Sequence, residues 1–265
     1  MQQSKDNHYT KVDQSYFDKR VLNRYAGVWS LWALGVGAVI SGHFSGWNLG
    51  LANGWGSMFV ATIIIAVMYL GLCFSLAEMS PALPHTGGAY SFARTAMGRW
   101  GGFLTGLSEN VEYVLTPAVI VYFISSYMAG IFDTSTATLP LWWVSFYVVF
   151  ISLNIVGVEL SFRLTLIITL LALTCLLVFW ASALPSIDFT KWALNVGADG
   201  ILLPEGNGPF LPFGLGGILA CLPFAVWLFL AIEQLPLAAE ESVDPKRDMP
   251  RGILAGFFTL LISAF

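Results

Sequence analysis

The chain has 265 residues, of which 57% are hydrophobic and only 11% charged, with a net charge of −4 and a mean hydropathy of +0.73. A water-soluble domain of this length could not cover its surface with so few charges, which excludes a soluble enzyme and leaves no nucleic-acid partner to expect. A bilayer core about 30 Å thick needs roughly 20 mostly apolar residues per spanning helix, and such stretches recur along almost the whole chain.

Residues 1–24 form a polar tail carrying Lys5, Lys11, Lys19, Arg20 and Arg24. It has no short apolar core followed by a cleavage site, so it reads as a cytoplasmic tail rather than a signal peptide. Residues 25–265 then read as one transmembrane domain. Spans are predicted at 26–50, 56–78, 100–129, 140–158, 162–184 and 214–239, and a seventh begins near Gly252 and is cut off at Phe265. With the tail inside, the loops at 79–99, 159–163 and 240–251 are also inside. Arg94, Arg99, Arg163, Lys246, Arg247 and Arg251 then join the tail's five basic residues, and Lys191 alone falls outside. That asymmetry gives a multi-pass protein of the cell membrane with a cytoplasmic N-terminus. Asp133, Asp188, Asp199 and Glu205 decorate the outer loops.

Two spans depart from plain hydrophobicity. The first carries Gly35, Gly37, Ser41, Gly42, Ser45, Gly46 and Gly50, with His43 and Asn48 among them. Two readings fit: a small-residue face for close helix packing, or a helix broken at Ile40-Ser41-Gly42-His43 with freed backbone groups facing a substrate. The sixth begins with Gly214, Gly216 and Gly217 and contains Pro223 and Pro236, so an interruption is expected there too.

Charged residues at membrane depth are the sharper signal. Glu109 and Glu112, three apart, project from one face of the third span with Tyr113 and Thr116 beside them, and Glu233 sits deep in the sixth. No Lys or Arg lies at comparable depth in any span. The carboxyls are therefore either protonated at rest or answered by water, protons or a cationic substrate. Each also has a bland reading: Glu109 as a neutral acid bonded to another helix, Glu112 as a packing residue near water, His43 as a satisfied packing residue, and Trp227 as core or an interfacial anchor. Cys73, Cys175 and Cys221 lie in apolar stretches without CxxC spacing and read as packing residues. The absence of HExxH, GxSxG and Asp-rich metal motifs leaves no metal, no cofactor and no catalytic residue to expect, and makes an intramembrane enzyme a remote alternative.

Ala77-Glu78-Met79, followed by Pro81, Pro84, Gly87-Gly88-Ala89-Tyr90 and Gly98, resembles the signature between the second and third helices of the amino acid–polyamine–organocation transporter superfamily. Trp227 through Ala231-Ile232-Glu233, then Ala239-Glu240-Glu241, Asp244-Pro245 and Met249-Pro250-Arg251-Gly252-Ile253, resembles its sixth-helix pattern. Ile40-Ser41-Gly42-His43-Phe44 is similar to its first-helix break, with Ile40 and His43 as departures. The run Gly106 to Pro117 most resembles ethanolamine permeases, and the similarity covers nearly the entire chain.

This resemblance implies an all-α, LeuT-like, five-plus-five inverted-repeat transporter that imports ethanolamine by alternating access, with its first and sixth helices discontinuous around the substrate. The chain would hold both broken helices and lack most of the second repeat. The implied substrate-binding residues are Ile40, Ser41, Gly42, His43, Glu109, Glu112, Tyr113, Thr116, Trp227, Ala231, Ile232 and Glu233. Glu109 and Glu233 would pair with the ammonium or exchange protons, Tyr113 and Ser41 would take the hydroxyl, and Trp227 would close over the pocket. Gly157-Val158-Glu159 stands where proton-coupled relatives carry a lysine, which leaves proton symport, exchange and facilitated uptake all open. The nearer alternative is an amino acid or polyamine permease of the same superfamily.

Overall fold

The computed structural model describes residues 24–83, 87–156, 158–194 and 208–265. The tail up to residue 23, Pro84, Asp199, Glu205, Gly157 and the side chain of Glu159 lie outside that description. The described residues are helical apart from turns and one isolated bridge between Ala26 and Ser242.

The first apolar stretch is divided. Helix α1 (Val28–Val39) is followed by a single turn, α2 (Ser41–Phe44), and a 3-10 segment (Trp47–Asn53). Helix α3 (Trp55–Ala82) crosses back without interruption. Helix α4 (Gly88–Ile131) has 44 residues, about twice what a bilayer core requires. It bends at Gly98 (φ 75°, ψ −162°), a backbone conformation open to glycine alone. Residues 88–97 thus form a helical elbow where the sequence pattern predicts only a loop, and the spanning part follows the bend. Helices α5 (Leu139–Val156) and α6 (Val158–Ala183) match the fourth and fifth predicted spans to within a turn. A short α7 (Phe189–Ala193) precedes α8 (Gly214–Val226).

The sixth stretch is not one continuous helix: α8 stops at Val226 and a 3-10 segment (Ile232–Glu241) resumes after a turn. The interruption falls between Pro223 and Pro236 rather than at either. Pro223 sits within α8, and Ala231 takes the left-handed conformation with φ +85°. Among the described residues, five helical stretches are long and apolar enough to cross a membrane, and Gly214–Val226 is shorter. Helix α9 (Pro245–Ala264) starts seven residues before Gly252, with Pro245 at its first position, where a missing N–H costs nothing.

Helix α9 packs against both α1 and α3, and α8 packs on α3. Leu31, Val36, Val39, Tyr69, Leu76, Phe229, Ile232, Ile253 and Phe257 fill the space between them. Thr169 of α6, fully buried, reaches the carbonyls of Thr165 (2.7 Å) and Ala33 (3.2 Å), which ties α6 to α1. Helices α3 to α6 also turn large apolar side chains outward, among them Val67, Val114, Ile155 and Leu171. Helices apolar all round suit a lipid surrounding.

At one end of the bundle the chain before α1 pairs with the chain after the second 3-10 segment. The N–H groups of Tyr25 and Ala26 both donate to the Glu241 carbonyl at 3.0 Å, and Val243 N–H donates to the Ala26 carbonyl at 3.0 Å. The Tyr25 hydroxyl donates to Glu241 Oε2 at 3.2 Å.

Candidate functional site

The two interruptions face each other. Ile40 keeps helical torsions and its N–H reaches the Val36 carbonyl at 2.8 Å. The chain leaves the helix only at Ser45, which is extended, and Gly46, with φ +95°. The sharpest point of the first break thus lies downstream of the predicted Ile40-Ser41-Gly42-His43. Residues 42–46 press directly on the turn of the sixth stretch. A Cβ on Gly42 would overlap the Trp227 carbonyl, and one on Gly46 would stand 3.0 Å from the Trp227 ring. Only glycine permits this backbone-to-backbone approach at Gly42.

At the sixth-stretch turn, the N–H of Ala231 donates to Glu233 Oε1 at 2.9 Å, so the glutamate caps its own reversal. Its other oxygen, Oε2, is buried and has no hydrogen-bond partner among the described residues. The carboxyl lies beside that of Glu112 on α4, and Glu112 Oε1 accepts from Gln234 Nε2 at 2.8 Å. Among the described residues no lysine or arginine partners Glu233. Two carboxylates face to face at this depth repel each other until a proton or a cation neutralises one of them.

A cavity of about 190 Å³ is bounded by Ala38 of α1, Tyr113, Thr116 and Pro117 of α4, and Ala231 and Gln234 of the turn; neither carboxyl lines it, but Ala231 and Gln234 are the residues hydrogen-bonded to Glu233 and Glu112. A second, of about 280 Å³, continues along α1 and the 3-10 segment and shares Ala38, Ala231 and Gln234 with the first. Glu109 lines a third, of about 490 Å³, against the elbow, together with Tyr90, Asn110 and Tyr113. Tyr113 therefore borders both the central cavity and the elbow cavity. Its hydroxyl is a hydrogen-bond partner of Glu109, and all three carboxyls lie within electrostatic reach of it. Glu109 also takes a hydrogen bond from the Tyr90 backbone at the start of the elbow.

The structure brings Glu112, Tyr113, Thr116, Ala231 and Glu233 together at one place, with Glu109 one cavity away. Ser41 is half-buried beside the first break. Gly42 and Trp227 form the contact between the two breaks. Ile40 and Ile232 belong to the core instead; Ile232 Cδ1 packs over Gly35 and Gly256. His43 points elsewhere. Its Nε2 is 3.1 Å from the Leu228 carbonyl and 3.4 Å from Ser263 Oγ, in a separate cavity of about 210 Å³ with Trp47 and Thr62.

Ala38 and Gln234 are the site residues that the sequence pattern does not single out. Gln234 carried a usable signal, a second polar side chain next to Glu233 in an otherwise apolar stretch. Ala38 carried none. Among the described residues no group of three metal-ligating side chains is placed to hold an ion.

The amino acid permease family matches residues 31–263. An uncharacterized transporter of Rhizobium meliloti (strain 1021) is 32% identical over 259 residues, covering 93% of this chain and 52% of that protein. A branched-chain amino acid permease of Bacillus subtilis (strain 168) is 23% identical over 92% of this chain and 53% of its own length. A methylthioribose transporter of the same organism is 25% identical over 88% and 51%. The chain spans about half the length of the curated relatives it matches. Since the family match runs from α1 to α9 and takes in both interrupted stretches, the chain belongs to the amino acid permease family.

Proposed function

We propose that this chain carries the substrate site of a permease that imports a small cationic amine, ethanolamine, across the cell membrane by alternating access, with the N-terminus in the cytoplasm. The observation that carries the reading is the buried carboxyl of Glu233 set against that of Glu112, with no lysine or arginine beside it among the described residues. A buried carboxylate without a partner costs several kcal/mol, and a mobile ammonium is the partner that a fixed basic residue would otherwise supply. The ammonium sits between Glu112 and Glu233. The hydroxyl is taken by Tyr113 at the edge of the central cavity, with Ser41 and Thr116 nearby, and Trp227 covers the site from the sixth-stretch turn. Glu109, already bonded to Tyr113 and Tyr90, shapes the site from the elbow side. Protons are the second ligand of the acidic pair.

Uptake of labelled ethanolamine into vesicles, with and without an imposed proton gradient, tests the reading. No uptake under either condition by a protein that carries this chain at the full length of its relatives overturns it.

A second reading, an amino acid permease, is favoured by the family and by the printed name of the branched-chain amino acid relative. An amino acid adds a carboxylate that backbone N–H groups at the first break would have to hold. Competition of ethanolamine uptake by free amino acids separates the two: strong competition selects the second reading.

A further inference from the structure

The turn in the sixth stretch frees the N–H of Ala231 and the carbonyls of Trp227 and Leu228, the first of which lies against Gly42. In an unbroken helix the Leu228 carbonyl would receive the N–H of Ile232. Here Ile232 N–H turns to the Phe229 carbonyl at 3.3 Å, and the N–H of Ala231 goes to Glu233 Oε1 at 2.9 Å. The donor side of the turn is thus closed by Glu233. The acceptor side, Leu228 O, is met by His43 Nε2 at 3.1 Å, across from the first break.

The hydrogen on that nitrogen follows from its neighbours. Ser263 has a single hydroxyl proton, and it is committed to the Leu260 carbonyl at 2.8 Å. Ser263 Oγ therefore meets His43 Nε2, 3.4 Å away, as an acceptor. Leu228 O is an acceptor as well, so Nε2 must carry the hydrogen and divide it between the two. The backbone of the same residue is fixed from the other side, because Trp47 Nε1 donates to the His43 carbonyl at 3.0 Å. The imidazole is buried, and the cavity it lines shares no residue with the one beside Glu112 and Glu233.

We propose that His43 is a positioning residue: from the first break it closes the acceptor side of the sixth-stretch turn, as Glu233 closes the donor side, and with Ser263 it locks both breaks and α9 into one arrangement around the site. The contact between Gly42 and the Trp227 carbonyl sets the spacing that lets the imidazole reach. The inference builds on the proposed amine site but makes no contact with substrate.

The test uses the full chain with His43→Ala, His43→Gln, Ser263→Ala and the double variant His43→Ala/Ser263→Ala. In proteoliposomes His43→Ala should raise KM about tenfold, because a buried carbonyl loses its donor. The rise should be equal for ethanolamine and for ethylamine, which lacks the hydroxyl. His43→Gln, which keeps an N–H donor on a flexible arm, should recover most of the loss. Ser263→Ala should add nothing to His43→Ala, since its oxygen is reached only through the imidazole. Thermal unfolding of the purified variants should follow the same order, and it reads the lock even if ethanolamine proves not to be a substrate. A change in the ethanolamine-to-ethylamine KM ratio in His43→Ala would show the ring touching substrate and overturn the proposal. So would wild-type KM and Tm in that variant, or fully additive effects of the two substitutions.

Discussion

Glu233→Gln isolates the charge of the candidate site from its architecture. One oxygen of Glu233 holds the Ala231 N–H at 2.9 Å, and a glutamine amide oxygen can take over that bond unchanged. The other oxygen is buried without a partner beside Glu112, and there the substitution removes half of the negative charge presented to a cation. An ammonium about 4 Å from a carboxylate gains about 4 kcal/mol at an effective dielectric constant near 20. Glu112 remains in place and the ammonium gives up hydration, so about 2 kcal/mol is the expected loss, or about thirtyfold in KM. Glu233→Ala would remove the cap as well, orphaning a backbone donor at about 1–3 kcal/mol of stability. Uptake kinetics and thermal unfolding of the two variants should therefore diverge: Gln weak in uptake with near-wild-type Tm, Ala defective in both. Unchanged KM in Glu233→Gln, with an unchanged pH profile of uptake, would refute a cation at this pair.

Gly42→Ala should cost about 1–3 kcal/mol of stability and abolish uptake, because the added methyl meets the Trp227 carbonyl rather than a side chain able to rotate away; thermal unfolding and vesicle uptake both report it. Tyr113→Phe keeps the ring between the two cavities and loses the hydroxyl bonded to Glu109. It should raise KM for ethanolamine about fivefold and leave ethylamine nearly unaffected, as competition assays would show. Glu241 ends the second 3-10 segment, two residues beyond the sixth predicted span, and burial pushes its carboxyl above the usual carboxylate range while the Tyr25 hydroxyl holds it back. A carboxyl raised on folding stabilises the protein most when protonated, so its contribution fades as pH climbs through the folded-state value, above 4.5. Tyr25→Phe should move that loss to higher pH in a series of melts.

What the sequence made legible followed from local rules. Apolar length located α3, α5 and α6, because a spanning helix must satisfy its backbone within itself and any long apolar run is then a helix. Glycine density and two prolines marked both interrupted stretches, but not the exact residues at which the chain turns. At the first break the chain stays helical through Ile40 and the glycine at 46 takes the positive φ; at the sixth, Ala231 does so without being glycine. No propensity rule predicts an alanine at φ +85°; it is held there by the bond between its N–H and Glu233 and by tertiary packing. The elbow before Gly98 was missed because its polar residues read as loop, although a helix lying off the membrane needs no apolar run.

Residue pairing across long stretches of sequence was illegible for a different reason. Glu112 and Glu233 could each be recognised as an unusual charge, yet nothing in their local sequence says that they meet, and the same holds for His43 with Leu228 and Ser263. Those pairings arise because the two breaks are pressed together at Gly42. Breaking a helix inside a membrane exposes peptide groups that water cannot reach, and each must be met by a side chain. At the sixth-stretch turn a glutamate meets the Ala231 N–H and a histidine meets the Leu228 carbonyl. The glutamate has an oxygen left over. A break that uses a carboxyl to cap its donor side thus leaves that carboxyl's second oxygen buried beside Glu112, and in the proposed function the helix interruption and the cation site become a single device rather than two features that happen to adjoin.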